Sequence, residues 1–161
     1  GNKLGLHGSY YSAFHESLFR NEKEVLENLL NVVIVKTRQH WLRYDETRTP
    51  YIHESLFEQD STLGWNDRTG FRSGCSSRYN PYDHRRQRPF TFSVVPQVIM
   101  DAAIFEYHCD YLDYAIAYAY SLLNSLAVSK SPEVSVSWHQ RSCNQDYNWH
   151  PVYEQMLEKY M

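Results

Sequence analysis

The stretch Val32-Val33-Ile34-Val35-Lys36-Thr37-Arg38-Gln39-His40 decides the fold. Its first four residues are an unbroken β-branched run, the pattern of a strand covered on both faces, as in parallel sheets flanked by helices. The run leads into a polar segment that closes on a histidine. Upstream, Ser17 to Leu30 sets Leu18, Val25, Leu26, Leu29 and Leu30 at helical spacing, with Glu22, Lys23, Glu24 and Glu27 on the other side. This predicts a surface amphipathic helix. Before it, Lys3 to His7 alternates and runs into Gly8-Ser9-Tyr10-Tyr11, which reads as a short strand ending in a loop.

The same rhythm continues downstream. Thr49 to Phe57 suits a short helix with Pro50 in its first turn, and Gln59 to Leu63 a short strand. Residues 64–90 are rich in Gly, Ser, Asn, Asp, Arg and Pro without a period, which predicts one long ordered loop over the rim that carries His7 and His40. Phe92 to Met100 is strand-like but broken by Pro96. Tyr111 to Val128 is the clearest helix, with Ile116, Ala119, Tyr120, Leu123 and Ala127 along one side. Val134 to His139 alternates as a strand, and Pro151 to Tyr160 makes a terminal helix. Strands alternating with helices predict one α/β domain over residues 1–161 with largely parallel strands and flanking helices. In such folds chemistry gathers at the C-terminal strand ends.

Composition excludes several functions. A chain of 161 residues with 42% apolar and 22% charged residues is an ordinary globular one, and a net charge of -3 gives no cationic field for nucleic acid. No apolar run reaches the roughly 20 residues that a membrane helix needs. Cys75, Cys109 and Cys143 are too widely spaced for a zinc knuckle or redox pair and read as free thiols. Aromatic residues reach 16%, with 14 tyrosines, side chains that suit sugar rings as well as cores. The opening Gly1-Asn2-Lys3, directly before a strand, suggests a piece of a longer protein, which leaves the location open between cytoplasm and cell envelope.

Three of the eight histidines, His7, His40 and His139, close predicted strands. On adjacent parallel strands their imidazoles would converge on one rim, where neutral ring nitrogens bind zinc or a similar divalent ion and a remaining ring exchanges protons. Asp60 and Asp101, also at strand ends, are placed to complete a metal shell, orient a histidine, cap a loop or pair with an arginine. Arg38, Arg72 and Arg78 are candidates for holding a carboxylate or an anionic sugar. His15, His53, His84, His108 and His150 lie on predicted helices or loops and are weaker candidates as ligands. No Gly-x-Ser-x-Gly elbow or glycine-rich phosphate loop is present.

Six blocks, taken in order, resemble a known family. They are Gly5-Leu6-His7-Gly8-Ser9-Tyr10, Thr37-Arg38-Gln39-His40-Trp41-Leu42-Arg43, Asp60-Ser61-Thr62-Leu63-Gly64, Gly70-Phe71-Arg72-Ser73-Gly74, Val98-Ile99-Met100-Asp101 and Ser137-Trp138-His139. Together they resemble the bacterial polysaccharide deacetylase-like proteins of capsule and O-antigen gene sets, of the NodB-homology class. The resemblance implies a distorted (β/α) barrel, here incomplete, that removes N-acetyl groups from an acetylated polysaccharide or oligosaccharide. It implies a divalent metal, zinc foremost, held by one aspartate and two histidines. His7 matches the first histidine of the family's His-x-x-x-His block; the second falls on Tyr11, which makes His40 the candidate replacement. His139 matches the general acid, and Arg38, Arg72 and Trp138 become candidate substrate contacts. The family's Asp-Asp block lies before the first matched block, so Asp60 is the local substitute for the base. A barrel without its first strand leaves an open edge for a second copy or a partner segment to cover. The alternative is a catalytically silent carbohydrate-binding or scaffold protein on the same fold, and the isolated chain is then expected to turn over little.

Overall fold

The computed structural model describes residues 4–106, 111–144 and 147–160. The expectations for Cys109, His108 and the Cys143 side chain lie outside the described residues; Cys75 is a free, half-buried thiol. The chain forms two compact units, Gly1–Leu63 with Arg78–Pro96, and Gly64–Ser77 with Gln97–Met161. Among the described residues no helix is long and apolar enough to cross a membrane.

The first unit is built on a four-stranded parallel sheet of β1 (Leu6–Gly8), β2 (Lys36–Gln39), β3 (Gln59–Asp60) and β6 (Ser93–Val94), in that order. Between them run α1 (Glu16–Leu30) and α2 (Thr49–Leu56), with Pro50 in the first turn of α2. The β-branched run is not itself the strand. Asn31 closes α1 in the left-handed conformation, a common helix stop, and Val32 to Val35 is spent on the return leg. Only Ile34 on that leg is fully buried; its backbone N–H donates to Glu27, while Val33 is 78% exposed. The strand itself is the polar Lys36–Gln39, which shifts the expected register by four residues. Similarly, the inward face of α1 is Phe19 and Leu26, while Leu18, Val25 and Leu29 face outward.

Pro96 separates what reads as one strand into two, as a residue without an N–H donor should. Ser93–Val94 joins the sheet of the first unit, and β7 (Gln97–Met100) pairs in parallel with β8 (Ser135–Ser137) in the second. β7 is buried at every residue, the two-sided covering expected of Val32–Val35. It runs directly into α3 (Asp101–Phe105), and α4 (Leu112–Asn124) and α5 (His150–Tyr160) pack through Ala115, Ala119, Leu123, Val152 and Met156. Residues 64–90 are not one loop. They contain an antiparallel hairpin, β4 (Tyr82–Asp83) with β5 (Arg88–Pro89), and divide between the two units. The fold is therefore mixed α/β with a largely parallel sheet in the first unit.

Beneath that sheet lies a polar core. His53 is fully buried, ringed by Phe19, Tyr44, Phe57 and Phe92 at centroid distances of 5.8–6.2 Å. Gln39 Nε2 lies 3.2 Å from His53 Nε2, and His53 Nδ1 faces Asp60 Oδ2 at 3.7 Å, beyond hydrogen-bonding distance. Burial pushes the His53 imidazole below its ordinary range, and the Asp60 charge only partly opposes this. A depressed folded pKa means that the unfolded chain takes up the proton first as pH falls. Stability is thus complete above the unfolded value of about 6.5 and declines below it, by at most about 1.4 kcal/mol per pH unit for this group. Urea unfolding at pH 7.5 and 5.5 is expected to give a lower midpoint at pH 5.5, with a flatter dependence in His53→Gln. Equal pH dependence in the two proteins would show that His53 does not carry the effect.

Candidate functional site

In the first unit, β1 and β2 pair with His7 opposite Arg38, so the strand ends bring His7 and His40 together. His7 Nε2 lies 3.1 Å from His40 Nδ1, with ring centroids 5.2 Å apart. Two constraints hold the pair. Gly8 lets β1 approach closely: a Cβ there would stand 2.6 Å from Ser12 Oγ, 2.7 Å from Phe19 and 2.9 Å from Gln39. Arg43 binds the loops after both strands, its guanidinium over the Tyr10 ring at 3.9 Å and the Phe14 ring at 4.4 Å while Nη1 donates to the Tyr10 carbonyl. Immediately after His40, Trp41 and Leu42 both have positive φ, 58° and 48°. Two adjacent non-glycine residues there cost about 1–2 kcal/mol each, a strain that concentrates at functional sites.

The histidine pair fits part of a metal shell. Two nitrogen ligands on one tetrahedral zinc, with bonds of about 2.0–2.1 Å, stand roughly 3.3 Å apart. The 3.1 Å separation is close to this, and it is equally that of one shared proton. Among the described residues no group of three His, Cys, Asp or Glu side chains could hold a metal ion, so the described pair lacks a third ligand.

The other candidates of this unit are inside or beside the sheet. Asp60 is fully buried; its Oδ1 accepts from the backbone N–H of Thr62 at 2.9 Å and from the Thr62 hydroxyl, and no atom of it reaches solvent. Arg38 is half-buried and donates from Nε to the Ser61 carbonyl and hydroxyl, both at 3.2 Å. Burial lowers its guanidinium below its ordinary range, against the Asp60 charge.

The second unit holds a different constellation. Asp101, at the β7–α3 junction, is fully buried, and the exposed ring of His139 meets it: Nδ1 lies 2.6 Å from Oδ1. The His139 backbone N–H donates to Oδ2 at 2.8 Å and that of Ala102 to Oδ1 at 2.7 Å. The carboxylate, an acceptor only, selects the tautomer with its proton on Nδ1 and leaves Nε2 as the exposed nitrogen. Trp138 turns inward, near-parallel to Tyr153 at 5.5 Å and edge-on to Phe105 at 6.3 Å. Phe105 stacks on Trp149 at 4.6 Å, and Tyr147 meets Trp149 edge-on. Arg72 donates to the Gly64 carbonyl at 3.2 Å and lies over the Trp65 ring at 5.4 Å.

His7, His40, His139 and Asp101 lie in or directly beside strand ends, where the sequence places them. The buried role of His53, which the sequence offers only as a weak ligand candidate, and the parts played by Gln39, Arg43 and Trp149 carry no local pattern; the high aromatic content was the available hint of the Phe105–Trp149 stack.

No family profile matches the sequence, and no curated protein matches it. Among solved structures, it is similar to a chain from Bordetella bronchiseptica, provisionally described as a polysaccharide deacetylase involved in O-antigen biosynthesis. The similarity covers 84% of this chain and 49% of that one, at 16% identity and a TM-score of 0.40. This chain thus spans about half the length of that structure. A likeness this distant carries no function with it.

Asp101 receives three hydrogen bonds in a buried place, so its loss leaves donors stranded at about 1–3 kcal/mol each. Asp101→Ala is expected to lower unfolding stability by at least about 2 kcal/mol, and to release the His139 ring from a single tautomer, visible in imidazole ¹⁵N shifts. Unchanged ¹⁵N shifts in the variant would show that Asp101 does not hold the ring.

Proposed function

We propose that the chain serves hydrolysis of the N-acetyl amide of a surface polysaccharide or its precursor, the activity its sequence blocks resemble. The observation that supports this reading is the Asp101–His139 pair. An amide nitrogen leaves only when protonated as its bond to carbon breaks, and this needs a positioned acid. His139 meets the requirement: Asp101 fixes one proton on Nδ1 and the ring orientation, and Nε2 on the exposed ring, once it has taken up a second proton from the attacking water, can hand that proton to the departing amine. The Asp101 carboxyl group lies directly against the ring on which the positive charge would form. Water activation is not assigned to Asp60, whose carboxylate has no face open to solvent.

His7 and His40 are proposed as two ligands of a divalent ion, zinc foremost, and no step is derived through that ion. A second reading, carbohydrate binding without turnover, has its own support in the aromatic tier of Trp138, Phe105, Trp149 and Tyr147 in the unit of His139. Arg72 and Trp138 enter either reading as proposed substrate contacts.

The test is acetate release from N-acetylated amino-sugar oligomers by the purified chain with added zinc. His139→Ala is expected to reduce the rate by about 10²-fold or more, while zinc affinity stays unchanged. His7→Ala and His40→Ala are each expected to weaken zinc binding by about tenfold or more. Equal release by wild type and His139→Ala would refute the acid role. Oligomer binding with no release from either protein would select the binding reading, and neither binding nor release would exclude both.

A further inference from the structure

The loops that follow β1 and β2 leave three large rings in water. Tyr10 and Tyr11, on the first, are 45% and 66% exposed, and Trp41, on the second, is 66% exposed. Among the described residues, which include all four tryptophans, Trp41 is the one that is exposed. Both loops begin where their strands end, so the three rings belong to the rim that carries His7 and His40.

Trp41 combines two unfavourable choices. An indole left in water forgoes the burial that its large apolar surface would bring. Its backbone also lies in the left-handed region, at φ 58°, where a bulky residue is an outlier and glycine or asparagine would fit at less cost. Outliers of this kind gather where a side chain must be presented rather than packed.

The tyrosines are held in place from both sides. Glu22 of α1 accepts from the Ser9 backbone N–H at 3.1 Å and from the Ser9 hydroxyl, and the Ser12 hydroxyl donates to the Ser9 carbonyl at 2.8 Å. Arg43, whose N–H donates to the His40 carbonyl at 3.3 Å, lies over the Tyr10 ring, and Tyr10 meets Tyr11 edge-on at 5.3 Å. Rings ordered in advance give up little freedom when a ligand settles on them.

The chemistry of these loops selects the occupant. Among the described residues of 9–15 and 40–48, every exposed large apolar side chain is a tyrosine or a tryptophan, while the exposed aliphatic Leu18, Val25 and Leu29 belong to α1. A flat face with a polar handle matches a pyranose, apolar on its C–H face and hydroxylated at its edge. We propose that Trp41 and Tyr11 are stacking residues for pyranose rings of one polysaccharide strand lying along the rim beside His7 and His40. The inference rests on the carbohydrate reading above and places part of that strand on the first unit, whereas the tier of Phe105 and Trp149 belongs to the second. Tyr10, covered by Arg43, acts as a positioning residue for Tyr11.

The experiment is a ¹H–¹⁵N NMR titration of the purified chain, without added metal, with the N-acetylglucosamine tetramer. The Trp41 indole N–H is expected to shift saturably in the wild type, a readout that needs no variant to fold. Trp41→Leu keeps an apolar side chain without the flat face and is expected to weaken binding about tenfold or more, and Tyr11→Leu by a similar factor. Trp41→Phe keeps a face and is expected to stay within about threefold of wild type. Equal affinity of wild type and Trp41→Leu would overturn the proposal. Saturable shifts of the Trp138 and Trp149 indoles with Trp41 unmoved would also overturn it, while leaving the carbohydrate reading in place. No saturable shift at any residue would remove the carbohydrate reading and the stacking residues together.

Discussion

Gln39 is the point on which the first unit depends. Its backbone N–H donates to Thr62 Oγ1 at 3.0 Å, its side-chain nitrogen meets His53 at 3.2 Å, and its Oε1 lies 3.5 Å from the Ser12 hydroxyl. One fully buried amide therefore ties the loop after β1, the strand β2, the helix α2 and the loop after β3. A buried amide left without partners costs about 1–3 kcal/mol, so the elements must meet where its donors and acceptors point. Gly8 belongs to the same constraint, because a side chain there would displace the Gln39 amide oxygen. The registry of β1 on β2, and through it the approach of His7 to His40, follows from a polar contact under the sheet rather than from apolar packing alone.

This explains why the sequence was legible in some places and not in others. The helices Glu16–Leu30, Thr49–Leu56 and His150–Tyr160 carry local signals, a helical period or a proline in the first turn, and their bounds fall within a residue or so of expectation. The strands are two to four residues long, too short for a period to register. Val32–Val35 has every local mark of a buried strand, yet the left-handed stop at Asn31 places it on a return leg, and the polar Lys36–Gln39 takes the ladder. Tertiary context outweighed β-propensity there, as it often does. The break at Pro96 was legible, because a missing donor is a local fact; that its two sides join different units was not.

The candidate site divides in the same way. Histidines at strand ends are visible in a sequence, and the structure places two of them side by side and a third against a buried carboxylate. What the sequence hides is the work of their neighbours. Asp60 and Asp101 look alike as strand-end aspartates, but Asp60 spends its Oδ1 on Thr62 beneath the sheet, whereas Asp101 spends both oxygens on fixing an exposed histidine. Residue type and position are shared, and the environment alone separates a structural carboxylate from an orienting one.

The polar outer face of the parallel sheet follows from that burial pattern. Putting Gln39, Asp60 and His53 on the packed side commits the alternate positions, His7, Lys36, Arg38 and Gln59, to the open side, because a strand cannot turn one residue without turning its neighbour the opposite way. A chain that needed the open side only for packing would place apolar residues there at no cost to the buried network. Lys36 and Arg38 stand two residues apart on that side, and the charge of the buried Asp60 acts on the Arg38 guanidinium. The polar outer face is therefore the counterpart of the polar core beneath the sheet, fixed by strand alternation rather than by outer packing.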